Sequence, residues 1–276
     1  MESLSFGSMV LLVLGLLCTG LASGTLAGLL GVGGGIIIVP VLFYLFTAFD
    51  FSSDITMHLS VATSLAIIVP TSLASARAHH KKGSVDKTLL VSWGPWIVLG
   101  ATLGGLGSKV LETNDLLMIF GVIALIMSVN LMLPETPVVS KAPPKKMTTT
   151  ALVTTPIGLL SALMGIGGGS IAVPVQAMCS IAIHRAVGTA AVFGLFIALP
   201  GAIAFIWSGL GVAGRPIGSL GFVSLPAFLI IGVASVFAAP YGTGLAHKLN
   251  ALKLRRVFAV FLLLSSVNML YTAWQN

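Results

Sequence analysis

The sequence predicts an all-α polytopic membrane protein built from two inverted repeats. Each repeat is a glycine-broken (re-entrant) helical hairpin followed by three transmembrane helices. Three observations predict this fold: the composition, a repeated glycine motif and the distribution of basic residues. The 276 residues are 57% hydrophobic and only 8% charged, with a mean hydropathy of +1.08. A soluble domain keeps about a quarter of its residues charged, so this chain cannot cover a water-facing surface.

Apolar segments recur along the whole chain. Residues 36–49 and 170–183 are predicted to be half-helices, because a bilayer core needs about 20 apolar residues per helix. The first segment follows acidic Glu2 and exceeds the roughly 7–15 apolar residues of a signal peptide, so we expect it to be retained. The apolar segments occupy residues 9–30, 36–49, 55–77, 89–109, 116–133, 148–164, 170–183, 185–207, 222–246 and 253–272.

An internal duplication is indicated by three matches in the same order. The motif Gly-x-Gly-Gly-Gly at 31–35, with Val39-Pro40 after it, recurs 134 residues later. His58 and Thr63 recur as His184 and Thr189, 126 residues later. Residues 120–130 match 258–268 at six positions, 138 residues apart. We therefore predict an N-terminal repeat at 1–133, a cytoplasmic linker at 134–147 and a C-terminal repeat at 148–276.

The basic residues favour one membrane topology. If each broken segment crossed the membrane once, the two faces would hold eight and six Lys and Arg residues. If each broken segment returned to its starting side, the split would be twelve against two, and the two would be Lys109 and Arg215. The positive-inside rule prefers the second arrangement. Three spans then separate the hairpins, which inverts the halves, as in many secondary transporters.

The glycine breaks are the main candidates for a binding site. In lipid, unpaired backbone groups survive only inside protein or beside a polar cavity. Glycine lets a ligand approach the backbone, and a helix N-terminus offers free N–H groups and a positive dipole end, which together suit an anion. The alternative is that the glycines only allow close helix packing. The predicted substrate-binding residues are Gly33, Gly34, Gly35, Thr63, Ser64, Gly167, Gly168, Gly169, Ser170 and Thr189.

Two interpretations remain open for the polar side chains near the breaks. The hydroxyls of Thr63, Ser64 and Thr189 either donate to the anion or bond back to a helix carbonyl. His58 and His184 are either polar helix starts or groups that couple transport to protons. Arg185 is either a positive-inside charge or an attractor of anions near an opening. His58, His184 and Arg185 are therefore the candidates for gating or proton coupling.

Several function classes have no support in the sequence. The net charge of +7 does not indicate nucleic-acid binding, because the Lys and Arg residues lie in short loops between apolar segments. The sequence has no GxxxxGK[ST] phosphate-binding motif, no metal-ligand cluster and no catalytic-triad spacing. We therefore expect neither an enzyme nor a bound cofactor or metal.

The glycine motifs resemble those of the sulfite exporter TauE/SafE family, also called the toluene-sulfonate uptake permease family. The resemblance rests on GLLGVGGGIIIVPVL at 28–42, SALMGIGGGSIAVPV at 161–175 and HRAVGTAAV at 184–192, and it covers essentially the whole chain. It implies a permease of a bacterial cytoplasmic membrane for small sulfur-containing or carboxylated anions. The first half reads SVATS at 60–64 where the second reads AVGTA at 186–190, so the halves need not contribute equally.

The leading hypothesis is a secondary transporter that exports small organosulfur anions such as sulfite, sulfonates or sulfoacetate. Its partners would be the anion, the lipid bilayer and protons as a candidate coupling ion. The alternatives are an anion channel with the same binding groups, a carrier of a non-sulfur carboxylate, or a membrane-embedded enzyme or scaffold.

The charge distribution predicts that both termini lie outside the cytoplasm and that the loops at 78–87 and 247–256 lie inside it. Single cysteines placed at Ser84 and Asn250, in a background lacking Cys18 and Cys179, should resist an impermeant thiol reagent on intact cells. Ready labelling of both positions would refute this topology.

Overall fold

The computed structural model describes residues 6–30, 34–133, 138–246 and 251–275. Within these ranges the chain is helical apart from short connections and one small β-hairpin, so the all-α membrane class is confirmed. The helices are α1 Phe6–Leu30, α2 Gly35–Ala48, α3 Thr56–Lys81, α4 Lys87–Gly107, α5 Thr113–Met132, α6 Met147–Leu163, α7 Gly168–Met178, α8 Ile183–Gly209, α9 Leu225–Ala246 and α10 Ala251–Gln275, with strands β1 Ser219–Leu220 and β2 Val223–Ser224.

Helix length separates the membrane spans from the half-helices. Among the described residues, six helices are long and apolar enough to cross a bilayer: α1, α3, α4, α5, α8 and α10. Helices α2 and α7 have only 14 and 11 residues, which agrees with the prediction of two half-helices. Helix α7 ends five residues before the predicted position. The chain turns at Ser180, whose φ is +60°, and α8 begins at Ile183.

The helices of the two halves pack in an exchanged pattern. Helix α1 packs on α9 of the other half, and α6 packs on α4 in the same way. Each half-helix lies on the next helix of its own half, α2 on α3 and α7 on α8. The matching pairs α3–α8 and α5–α10 also join the two halves. Every one of these contacts has a counterpart when the halves are exchanged, as expected of a duplicated chain.

Both glycine-broken segments fold back on themselves. In the first half, Gly15 of α1 faces Leu45 near the end of α2, and Gly34 at the start of α2 faces Ser23 of α1. In the second half, the N–H groups at 139 and 140 donate to the carbonyl oxygen of Met178, both over 2.9 Å. Helix α7 therefore ends beside the segment that leads into α6, so α6 and α7 together return to their starting end.

Glycines set the closest helix crossings. A Cβ at Gly100 of α4 would overlap the carbonyl oxygen of Thr155, and a Cβ at Gly158 of α6 would overlap that of Ile97. In lipid the hydrophobic effect does not hold helices together, so close backbone packing between small residues is what stabilises such a pair. The α4–α6 contact depends on these two residues having no side chain.

We expect Gly158→Ala to lower the midpoint of thermal unfolding in detergent, because the added methyl overlaps backbone of α4. Overpacking of this kind costs about 1–3 kcal/mol. Gly107→Ala is the matched control, since a Cβ there meets no atom within 4 Å. Equal midpoints for the two variants would contradict the close crossing.

Candidate functional site

A cavity of about 50 Å³ lies where α7 begins, enclosed by residues from both halves. It is large enough for water or a small ion. Three of the predicted site residues, Gly167, Gly168 and Gly169, line it. The remaining lining residues are Ala27 of α1, Thr71, Ser72 and Ser75 of α3, and Ala190, Ala191 and Gly194 of α8.

The first turn of α7 presents unused hydrogen-bond donors. Gly167 precedes the helix in an extended conformation, with φ −77° and ψ 172°. Within the part of the chain that the structure describes, the backbone N–H groups of Gly168, Gly169 and Ser170 have no hydrogen-bond partner. The helix dipole adds positive potential at the same end. The cavity therefore adjoins a favourable environment for an anion.

Two serine hydroxyls on the opposite wall are also unbonded. Ser72 is only 8% exposed, and neither its hydroxyl nor that of Ser75 has a hydrogen-bond partner among the described residues. The neighbouring Thr71 hydroxyl instead donates to carbonyls of its own helix over 3.1 Å. No charged side chain is among the residues that line the cavity. Its walls thus offer hydrogen-bond donors without any formal charge.

Gly194 lines the cavity and lies close to both kinds of donor. A Cβ built on Gly194 would lie 2.5 Å from the Ser72 hydroxyl oxygen and 3.6 Å from the Gly168 nitrogen. The hydroxyl and the N–H nitrogen are therefore at most about 6 Å apart. Charge-assisted hydrogen bonds to an anion are about 2.7–2.9 Å long, so one small oxyanion can accept from both.

The sequence interpretation did not include Ser72, Ser75 and Gly194. A signal was present, because residues 72 and 75 are three apart and lie on one face of an otherwise apolar stretch of helix. The pattern alone does not distinguish a free hydroxyl from one bonded to its own helix.

The two glycine breaks have different surroundings. Gly33 lies outside the described residues. A Cβ on Gly35 would lie 2.6 Å from the carbonyl oxygen of Gly165 and 2.6 Å from the Ile68 side chain, so the first break packs directly against the second. Ile68 precedes Gly194 by 126 residues and is its equivalent in the repeat. Gly194 therefore lines the cavity, whereas the side chain of its equivalent, Ile68, packs against the first break.

A side chain at Gly168 would also disturb packing. Its Cβ would lie 2.8 Å from both the Ala190 carbonyl oxygen and the Gly194 nitrogen, which belong to the backbone of α8. At Gly34 the corresponding atom would lie 3.0 Å from the Ser23 side chain. Close packing and a lining role therefore coexist at Gly168.

The two predicted threonines make matching hydrogen bonds. Thr63 accepts from the N–H of Ser224 over 3.0 Å, and Thr189 accepts from the N–H of Asp86 over 2.9 Å. Both threonines are fully buried, and each holds the residue that precedes a long helix of the other half. Neither lines the cavity, and neither is assigned a bond to its own helix. A direct role for them in anion binding stays a prediction.

The two predicted serines lie beside the breaks. Ser64 donates to the carbonyl oxygen of Gly165 over 2.7 Å, at the turn where Gly165 has φ +66°. Ser64 therefore stabilises the second break from the first half. The Ser170 side chain is buried, and its hydroxyl has no partner in the described ranges. It does not line the cavity.

The two predicted histidines occupy different environments. The His58 Nε2 lies 3.0 and 3.1 Å from the carbonyl oxygens of Ser108 and Leu111. Carbonyls only accept hydrogen bonds, so this nitrogen carries a proton and closes the end of α4. The ring also packs on Phe222, with centroids 4.8 Å apart. His184 is exposed at the start of α8.

Arg185 pairs with Asp86 at a distance of 2.6 Å. The same carboxylate accepts hydrogen bonds from the N–H groups of Thr88 and Leu89, which are in the first turn of α4. This contact brings the start of α8 to the start of α4. The Arg185 guanidinium is 53% exposed, so solvent screening limits what the pair contributes to stability.

Comparison with known proteins identifies the family. The family model described as "Sulfite exporter TauE/SafE" matches residues 16–269. The chain belongs to this family. A "Probable membrane transporter protein" of Haemophilus influenzae is 34% identical over 265 residues, which cover 92% of this chain and 97% of that protein. This member of the TauE/SafE family is therefore a multi-pass membrane transporter.

More distant relatives carry similar names. The "Probable membrane transporter protein YunE" of Bacillus subtilis is 29% identical, over 70% of this chain and 78% of its own length. A probable membrane transporter protein of Methanocaldococcus jannaschii is 26% identical, over 91% and 92% respectively. No solved structure matches the chain significantly.

We expect Thr189→Val to lower the thermal unfolding midpoint, because it leaves the N–H of Asp86 without its acceptor. An unsatisfied group of this kind costs about 1–3 kcal/mol. Thr154→Val is the control: Thr154 is equally buried, but its hydroxyl bonds only to its own helix, at Thr150. Equal loss of stability in the two variants would show that the bond to Asp86 contributes nothing specific.

Proposed function

We propose that this protein is a secondary transporter that exports small organosulfur anions, such as sulfite, sulfonates or sulfoacetate, across a bacterial cytoplasmic membrane. One observation carries the proposal: among the described residues, unpaired N–H groups of α7 and unpaired serine hydroxyls lie at one cavity whose lining includes no charged residue. The family description supplies the substrate class.

The chemistry of the cavity suits a sulfonate or sulfite group. Such a group has three oxygens that accept hydrogen bonds, and the cavity walls supply donors from Gly168, Gly169 and Ser72. The helix dipole provides part of a counter-charge. Because no lysine or arginine lines the cavity, the anion would be attracted without forming a strong ion pair. Weak binding of this kind permits release on the other side of the membrane.

We further propose that the halves are inverted and the broken segments are re-entrant. The Arg185–Asp86 pair supports this arrangement, because Arg185 shares a side with neighbouring Lys87 only in the twelve-to-two charge distribution. The folding back of α1–α2 and of α6–α7 supports it independently. Movement of one half against the other would then open the site to each side in turn.

We propose protons as the coupling ion, with His58 and His184 as the groups that would titrate. His184 is exposed at the start of α8, whereas His58 is buried against the end of α4. A pH gradient imposed on proteoliposomes tests coupling directly. If an inward proton gradient leaves the rate and extent of anion movement unchanged, protons are not the coupling ion.

The site is tested by Gly194→Ala in proteoliposomes loaded with sulfite or sulfoacetate. The added methyl would stand between the Ser72 hydroxyl and the Gly168 N–H, so we expect the transport rate to fall at least tenfold. The clash is with a side chain that can rotate, so the fold should survive. Gly232→Ala is the matched control, because a Cβ there meets no atom within 4 Å.

Wild-type transport by Gly194→Ala would place the anion elsewhere. Saturable counterflow in the wild-type protein supports a carrier, whereas single-channel currents would replace this proposal with an anion channel. Transport of acetate in preference to both sulfur anions would replace the substrate class with carboxylates.

A further inference from the structure

We infer that Ser72 is a specificity-determining residue and that each chain has one anion site rather than two equivalent ones. The second half would supply the helix end at Gly168 and Gly169, and the first half would supply the hydroxyl of Ser72. This inference rests on the proposed function. It adds which residue determines specificity and how many anions each chain binds.

Ser72 is a largely buried residue in the wall of the cavity. More than nine-tenths of the residue is removed from solvent, yet its hydroxyl has no partner among the described residues. Buried hydroxyls in apolar surroundings are nearly always bonded, because an unmade bond costs stability. On the same helix, the hydroxyl of the fully buried Ser60 donates to the carbonyl oxygen of Thr56 over 2.8 Å. Ser72 is thus free to bond a ligand in the cavity that it lines.

The internal repeat shows that this arrangement occurs once. Ser72 corresponds to Ala198 on α8, 126 residues later, and Ser75 corresponds to Gly201. Gly194, which lines the cavity, corresponds to Ile68, whose side chain contacts Gly35 at the first break. Among the described residues, the first break therefore lacks these two hydroxyls, and the Ile68 side chain lies against it. Only the α7 end combines free N–H groups with free hydroxyls among the described residues.

This arrangement recognises a ligand with several acceptor oxygens and no donor. One oxygen would accept from the α7 N-terminus and another from the Ser72 hydroxyl, which stands at most about 6 Å from the Gly168 nitrogen. A hydrogen bond between a hydroxyl and an ionised oxygen is stronger than one between neutral groups. An uncharged analogue of the same shape would lose both the stronger hydrogen bond and the attraction to the helix dipole.

The experiment compares Ser72→Ala with Ser60→Ala in the full chain. Calorimetric titration with sulfite and with sulfoacetate measures affinity and stoichiometry, and thermal unfolding without anion measures stability. We expect Ser72→Ala to weaken binding about tenfold or more without lowering the unfolding midpoint, because it removes a hydroxyl that has no protein partner. Ser60→Ala should keep wild-type affinity, because the Ser60 hydroxyl bonds its own helix and Ser60 is not among the residues that line the cavity.

A second variant at the same position allows the test to be made even if Ser72→Ala does not fold. Ser72→Cys keeps the shape of the side chain, with a larger terminal atom, but provides a much weaker donor, so it should also lose affinity. Wild-type affinity in either folded variant, or two anions bound per chain, would overturn the inference. Failure of the wild-type protein to bind either anion would instead overturn the proposed function on which the inference rests.

Discussion

Membrane lipid offers no hydrogen bonds, so every helix interruption in this protein depends on partners that the chain itself supplies. The second break meets this constraint almost completely. The Gly165 carbonyl accepts from Ser64, and the N–H groups of Gly165 and Ile166 donate to Ala162 and Ser161. The N–H groups that remain unpaired there lie in the first turn of α7, next to the cavity. The candidate site is thus the part of the break that the protein leaves for a ligand to satisfy.

The same constraint explains how the long helices are tied together at their ends. Asp86 caps α4, pairs with Arg185 of α8 and donates its own N–H to Thr189. At the opposite end of α4, His58 of α3 donates to the carbonyl oxygens of Ser108 and Leu111, which follow the helix. Helix α4 is therefore held at both ends by helices that line the cavity, α3 and α8. If α3 or α8 moved, its contacts with the ends of α4 would either break or move α4 as well. Opening of the site is therefore coupled to the contacts at the helix ends.

Sequence patterns predicted the positions of the helices better than the side-chain contacts between them. The apolar segments and the two short helices follow from length and composition, and Gly167–Gly169 follow from the repeated motif. The bonds of Thr63 and Thr189 could not be predicted, because their partners lie in loops more than 100 residues away. Thr71 and Ser72 are adjacent hydroxyls, but only Thr71 bonds back to its helix. Packing between helices that are distant in the sequence decides which of the two hydroxyls bonds its own helix. No local sequence pattern predicts this.

The exchanged packing has a consequence for the origin of the chain. Because α1 lies on α9 and α6 lies on α4, half a chain would leave the surface of its first helix uncovered unless a second copy supplied the missing contact. A single-repeat ancestor would thus have worked as a pair of identical subunits. In such a pair any substitution appears twice, so opening or closing one pocket changes both. In a single chain the two positions can differ, as they do here: the Ile68 side chain packs against Gly35, whereas Gly194 lines the cavity.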